Sequence, residues 1–219
     1  MFDLKEIKGL LLKEVKLEWR SKHVAMSTLL YVFSTVFICY LSFQNAELGV
    51  WNGLIWIIVL FTMTNASNRI FFYESGNQRL YLYSLAGARN IIAAKLIYQW
   101  FISALLSLLV FIIWTILFNA KVHQTLNFLI VLILGVWAMS NVLTLNNALS
   151  SGTKNSPTVL AILSFPVLLP ILLTTIKGSA MALQSNLNSN LPYFILVLFM
   201  LNVLTVSLAI ILFQYLWRY

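Results

Sequence analysis

IIAAKLIYQWFISALLSLLVFIIWTILF, residues 91–118, decides what kind of chain this is. Its only charge is Lys95, near the start. A helix needs about 20 apolar residues to cross the hydrocarbon of a bilayer. The stretch is longer than that, so the excess reads as tilt or as a cytoplasmic extension around Lys95. On either side lie five more apolar runs, near 24–43 (VAMSTLLYVFSTVFICYLSF), 50–67, 126–148, 158–176 and 192–216.

Composition agrees. The 219 residues are 61% hydrophobic and only 9% charged, and mean hydropathy is +0.89. A soluble domain carries roughly 25% charged residues, so this chain cannot clothe a folded surface in polar groups and its solvent must be lipid. Six crossings use about 120 residues, which leaves short loops and one membrane domain over 1–219. The expected fold class is an all-α membrane protein, with six transmembrane helices preceded by an amphipathic surface helix.

That surface helix is 4–22, LKEIKGLLLKEVKLEWRSK. Leu4, Ile7, Leu11 and Val15 share a stripe at helical spacing, bordered by Glu14 and Glu18, with Lys5, Lys13, Lys16 and Arg20 on the other side. A basic amphipathic helix with a tryptophan suits the headgroup region, where anionic lipid attracts it; a cytoplasmic helix that binds a partner has the same pattern. These residues are too charged for the apolar core of a signal peptide, so the first span is expected to be retained.

Charge also sets the sidedness. The net charge is +8, from 14 Lys and Arg against 6 Asp and Glu. With the N-terminus inside, twelve of the fourteen basic residues, from Lys5 to Arg218, fall on the cytoplasmic side, leaving Lys121 and Lys177 outside. The bias supports both termini in the cytoplasm and explains the basic balance without a nucleic acid. Trp51, near the start of the second span, suits an interface anchor.

Several chemistries are excluded. No G-x-x-x-x-G-K-[ST] loop is present, so the chain does not hydrolyse ATP by itself. The single Cys39 rules out an intrachain disulfide and a cysteine-based zinc site. His23 and His123 are expected on opposite sides of the membrane, and metal sites want clustered ligands; His123 alone remains a candidate axial haem ligand. The span cores lack the ionisable groups that ion-coupled transporters use. The energy must therefore enter from elsewhere, and the protein is expected not to be an enzyme.

The longest polar interruption, 68–90 (NRIFFYESGNQRLYLYSLAGARN), sits on the cytoplasmic side. Arg69, Phe72, Glu74, Arg79, Tyr81 and Tyr83 are of the types enriched at protein contacts, so the segment reads as a docking and coupling site for a soluble partner. The same arginines and tyrosines would also anchor a loop at the headgroups. Pro166 and Pro170 lie four apart in the fifth span and kink it, as a hinge or as a static bend. Asn65, Asn141, Asn146 and Asn147 are expected to bond between helices.

Together LLKEVKLEWRSK (11–22), NRIFFYESGNQRLYLYSLAGARNIIAAK (68–95) and LAILSFPVLLPILL (160–173) resemble the ABC-2 type of ABC transporter permease, and within it the haem exporter protein B family. That family usually carries a proline about where Ala86, Gly87 and Ala88 stand here, and Gly87 supplies a break instead. The resemblance implies a permease of the bacterial inner membrane that serves cytochrome c maturation. It would work with a cytoplasmic ATPase that binds the ATP, a second copy of itself, a haem-handling membrane protein and a haem chaperone. Haem enters as cargo, not as a resident cofactor. The ATP-driven motion either exports haem or releases the haem-loaded chaperone, and the lack of a clear haem ligand favours release. Other cargoes, such as a lipid or polysaccharide, and a scaffold for assembly factors are the alternatives.

Overall fold

The computed structural model describes residues 3–20, 22–43, 47–68, 86–118, 122–150, 156–184 and 190–216. These residues form seven helices and no strand: α1 (Leu4–Arg20), α2 (Lys22–Ser42), α3 (Leu48–Ser67), α4 (Ala88–Phe118), α5 (Thr125–Ser150), α6 (Ser156–Leu183) and α7 (Leu191–Leu216). The last six are each long and apolar enough to cross a membrane. With no water in the hydrocarbon, the backbone must satisfy its own polar groups, and a helix does so within one segment. The expected all-α membrane fold is present. At 1.5 Å per residue, the 31 residues of α4 reach about 46 Å, well beyond the roughly 30 Å of hydrocarbon.

The bundle is built around α5, which packs against α3, α4, α6 and α7. Of its apolar window 72% is buried, against 17% for both α2 and α7. Close approach is made by glycine. A Cβ at Gly135 would overlap the Thr175 methyl of α6 and lie 3.0 Å from Trp56 Cη2 of α3. On α6, a Cβ at Gly178 would come within 3.3 Å of Phe194 Cβ.

Burying polar atoms in such a core is costly unless they bond, and here they bond between helices. Asn52 Nδ2 donates to Ile176 O (2.9 Å), while Ser179 Oγ donates to Asn52 Oδ1 and accepts from Trp56 Nε1, both at 2.8 Å. Trp100 Nε1 donates to Asn141 Oδ1 at 2.6 Å, and Asn141 Nδ2 donates to Thr205 Oγ1 at 3.2 Å. Asn146 Nδ2 donates to Ser164 Oγ at 2.9 Å. Asn141 and Asn146 therefore tie helices together as expected. Asn65 instead is exposed, and Asn147 Nδ2 is buried with no bonding partner among the described residues.

Three details differ from the sequence expectation. Trp51 is no interface anchor: it is 2% exposed, its ring 6.2 Å from Trp114 and 5.9 Å from Phe128, because an indole buries more apolar area in the bundle than at its rim. The fifth span runs to Leu183, past its expected end at 176. The small residues of GSAMA let α6 stay packed, with Ser179, Ala182 and Leu183 buried, while Lys177 remains exposed. On α1 the expected stripe divides. Ile7 is buried and Leu11 half-buried, but Leu4 and Val15 are exposed, and the second buried side chain is Glu14. Pro166 and Pro170 both lie inside α6 on its exposed face.

Candidate functional site: the junction at the start of α4

The first three turns of α4 collect contacts from four other helices. Asn90, Ile91, Ile92, Ala94, Lys95, Leu96, Tyr98 and Gln99 are all buried there. Ile91, Ile92 and Leu96 form a small apolar cluster with Leu145 and Ala148 of α5 and Ala209 and Phe213 of α7, separate from the main core. Arg89 Nη2 donates to Gln214 Oε1 of α7 at 3.0 Å.

Against this platform lies α1. At 100° per residue its side chains divide into three faces. One holds Glu6, Ile7, Leu10, Glu14 and Leu17, all buried or half-buried. A second, of Leu4, Leu12, Val15 and Trp19 with Lys8 among them, is exposed and mostly apolar, as suits the headgroup and acyl boundary. The third carries Lys5, Lys13, Lys16 and Arg20.

The docked face is held by charge and polarity. Glu6 accepts from the Gly87 N–H at 3.0 Å and from Asn90 Nδ2, while the Asp3 N–H donates to Asn90 Oδ1 at 3.3 Å. Two helical turns on, Glu14 Oε1 stands 3.4 Å from Lys95 Nζ and 3.7 Å from Lys13 Nζ. Lys95 is 1% exposed. An ammonium buried alone would cost several kcal/mol, of order 3–5 when a buried pair is broken, so a lysine there needs a counter-charge, and Glu14 supplies one. Beside the pair is a cavity of about 180 Å³, lined by Glu14, Leu17 and Glu18 of α1, Thr28 of α2, and Tyr98 and Gln99 of α4, among others.

The junction also brackets the polar segment between α3 and α4. On the entry side, Gln99 Nε2 donates to Ser67 Oγ at 2.8 Å. On the exit side stands the Glu6 clamp on Gly87 and Asn90. Both ends of the segment are thus fastened to α4, and the exit end to α1 as well. The expected docking residues Arg69, Phe72, Glu74, Arg79, Tyr81 and Tyr83 lie outside the described residues. His23 stands near the start of α2 and His123 in the turn before α5, at opposite ends of the bundle. Among the described residues no three His, Cys, Asp or Glu side chains come together as a metal site would require.

Glu6, Glu14 and Asn90 were not among the expected site residues. A signal for the ion pair was present: Glu14 interrupts an apolar stripe and Lys95 is the one charge in an apolar span, and two misplaced charges of opposite sign are most cheaply explained by each other.

Six candidate spans, one of them a buried central helix, with an amphipathic helix clamped to one end, define a multi-pass membrane protein. The sequence model of the CcmB protein family matches residues 5–215, and the chain belongs to that family. Comparison with curated proteins gives no match. Membership makes the chain a membrane permease component of the haem exporter that serves cytochrome c maturation.

Proposed function

We propose that this protein couples ATP hydrolysis by a cytoplasmic ATPase subunit to haem export or to release of a haem-loaded chaperone outside. In this reading both termini lie in the cytoplasm of a bacterium, the protein sits in the inner membrane, and two copies pair within the transporter. The ATPase docks on 68–90, with Arg69, Phe72, Glu74, Arg79, Tyr81 and Tyr83 in the contact. The supporting observation is the bracket around that segment: Ser67 to Gln99 at one end, Glu6 to Gly87 and Asn90 at the other. A load applied between those points is delivered to α1 and α4 together and from α4 to the central helix. Pro166 and Pro170, each lacking a backbone N–H inside α6, give that helix a place to bend in response.

The test is covalent haem in membrane c-type cytochromes, read on a haem-stained gel, in a strain lacking the gene and complemented with wild type or Glu74→Ala. Loss of the bands, restored by wild type alone, is expected. Restoration by both would remove Glu74 from the contact, and unchanged bands in the deletion would sink the cytochrome role. Haem measured outside the membrane in the same strains separates the two modes: export lowers it in the deletion, whereas chaperone release leaves it bound and undelivered.

A further inference from the structure

We infer that Glu14 and Lys95 are a positioning pair that makes α1 move with α4 when the docking segment is loaded; the inference rests on the coupling reading above. The starting observation is that the pair is a poor way to achieve packing alone. A buried ion pair is often matched or exceeded in stability by apolar side chains of similar size, and the surroundings are apolar enough to accept them: Ile91, Ile92 and Leu96 are buried on the same turns of α4.

An ion pair offers a contact that lengthens without vanishing. Dispersion loses roughly a quarter to a half of its strength over a gap of about 0.5–1 Å, whereas attraction between charges falls only as the inverse of distance. The observed 3.4 Å between Lys95 Nζ and Glu14 Oε1 exceeds the roughly 2.7–2.9 Å of a closed charge-assisted bond. There is also room for α1 to move. The cavity beside Glu14 lies between the last turns of α1 and helices α2 and α4, while the start of α1 is fixed by Glu6. Pinned at one end, linked by charge in the middle and adjoining a cavity at the other, α1 can tilt about its first turn while Glu14 holds it to α4.

The test uses the permease with its co-purified ATPase in lipid nanodiscs and reads permease-dependent ATP hydrolysis beside thermal stability. In the variant Glu14→Leu with Lys95→Met, the thermal midpoint is expected to equal or exceed wild type and the ATPase to co-purify undiminished. Permease-dependent hydrolysis is expected to fall about tenfold, a barrier change of about 1.36 kcal/mol. The exchanged pair, Glu14→Lys with Lys95→Glu, made together with Lys13→Gln because Lys13 stands 3.7 Å from Glu14 and would repel a cation there, restores attraction with reversed polarity and is expected to recover most of the rate. Wild-type hydrolysis in the apolar variant would make the pair a packing device and overturn the inference, as would failure of the exchanged pair to recover. If the wild type itself carries no ATPase, or gives no permease-dependent hydrolysis, the coupling reading fails first and takes this one with it.

Discussion

The two ends of α4 are built on opposite principles. Its first turns are held by hydrogen bonds and an ion pair, to α1 through Asn90 and Lys95, to α3 through Gln99 and to α7 through Arg89. Its last turns are held by packed aromatic rings. Phe111 lies 5.1 Å from Phe128 of α5 and Trp114 6.2 Å from Trp51 of α3, while Trp114 and Phe118, 4.2 Å apart, pack along α4 itself. In that aromatic cluster the indole N–H groups of Trp51 and Trp114 have no bonding partner among the described residues; ring area outweighs two lost hydrogen bonds there. Polar contacts can be broken and remade over short distances, whereas interlocked rings resist any partial displacement. The difference suits a helix that takes up motion at one end and is anchored at the other.

The contrast predicts effects of graded size. Truncating the anchored end is the most damaging change. Trp114→Ala should cost about 3–5 kcal/mol, seen as a large drop in the unfolding midpoint in detergent; a midpoint within error of wild type would mean that the ring cluster anchors nothing. Next is the crossing of the central helix. Gly135→Val should cost about 1–3 kcal/mol, since its side chain would meet Thr175 and Trp56, and fluorescence-detected size exclusion after heating should show it. An unchanged profile would mean that α5 and α6 can separate freely. At the polar end the effects are local. Glu6→Ala should remove about 0.5–1.5 kcal/mol of contact, speeding amide exchange over α1 while α5 stays protected. Equal acceleration in both helices would show that the two ends unfold as one unit. Smallest is Arg89→Ala, whose exposed bond to Gln214 should be worth less than about 0.5 kcal/mol; a larger loss would make α7 part of the clamp.

What was legible was common to both ends. Span number and helix type follow from apolar length alone, because the bilayer leaves the backbone so few alternatives. What apolar length does not report is facing. Trp51 has the composition of an interface residue and the position of a core one, and only the neighbouring rings of Trp114 and Phe128 decide between them. The junction was harder still. Its contacts join residues far apart in the chain, such as Glu6 to Asn90 and Glu14 to Lys95, and no local periodicity reports a pairing across that separation. The sequence marked 68–90 as the place where energy enters, while the residues seen to fasten that segment lie on α1 and α4, in stretches that read as ordinary amphipathic and apolar helix.

The burial of α5 also sets a timetable for synthesis. The chain emerges from its N-terminal end, so α3 and α4 are already made when α5 appears, and α6 and α7 are not. Asn141 can meet Trp100 at once, but its partner Thr205 is 64 residues downstream. At about 5–20 residues per second, that partner is roughly 3–13 seconds away. For that interval the most enclosed helix of the finished protein shows amides to the lipid or to whatever insertion machinery shields it, and a ribosome that stalls before α7 leaves those amides as a standing mark of an unfinished chain.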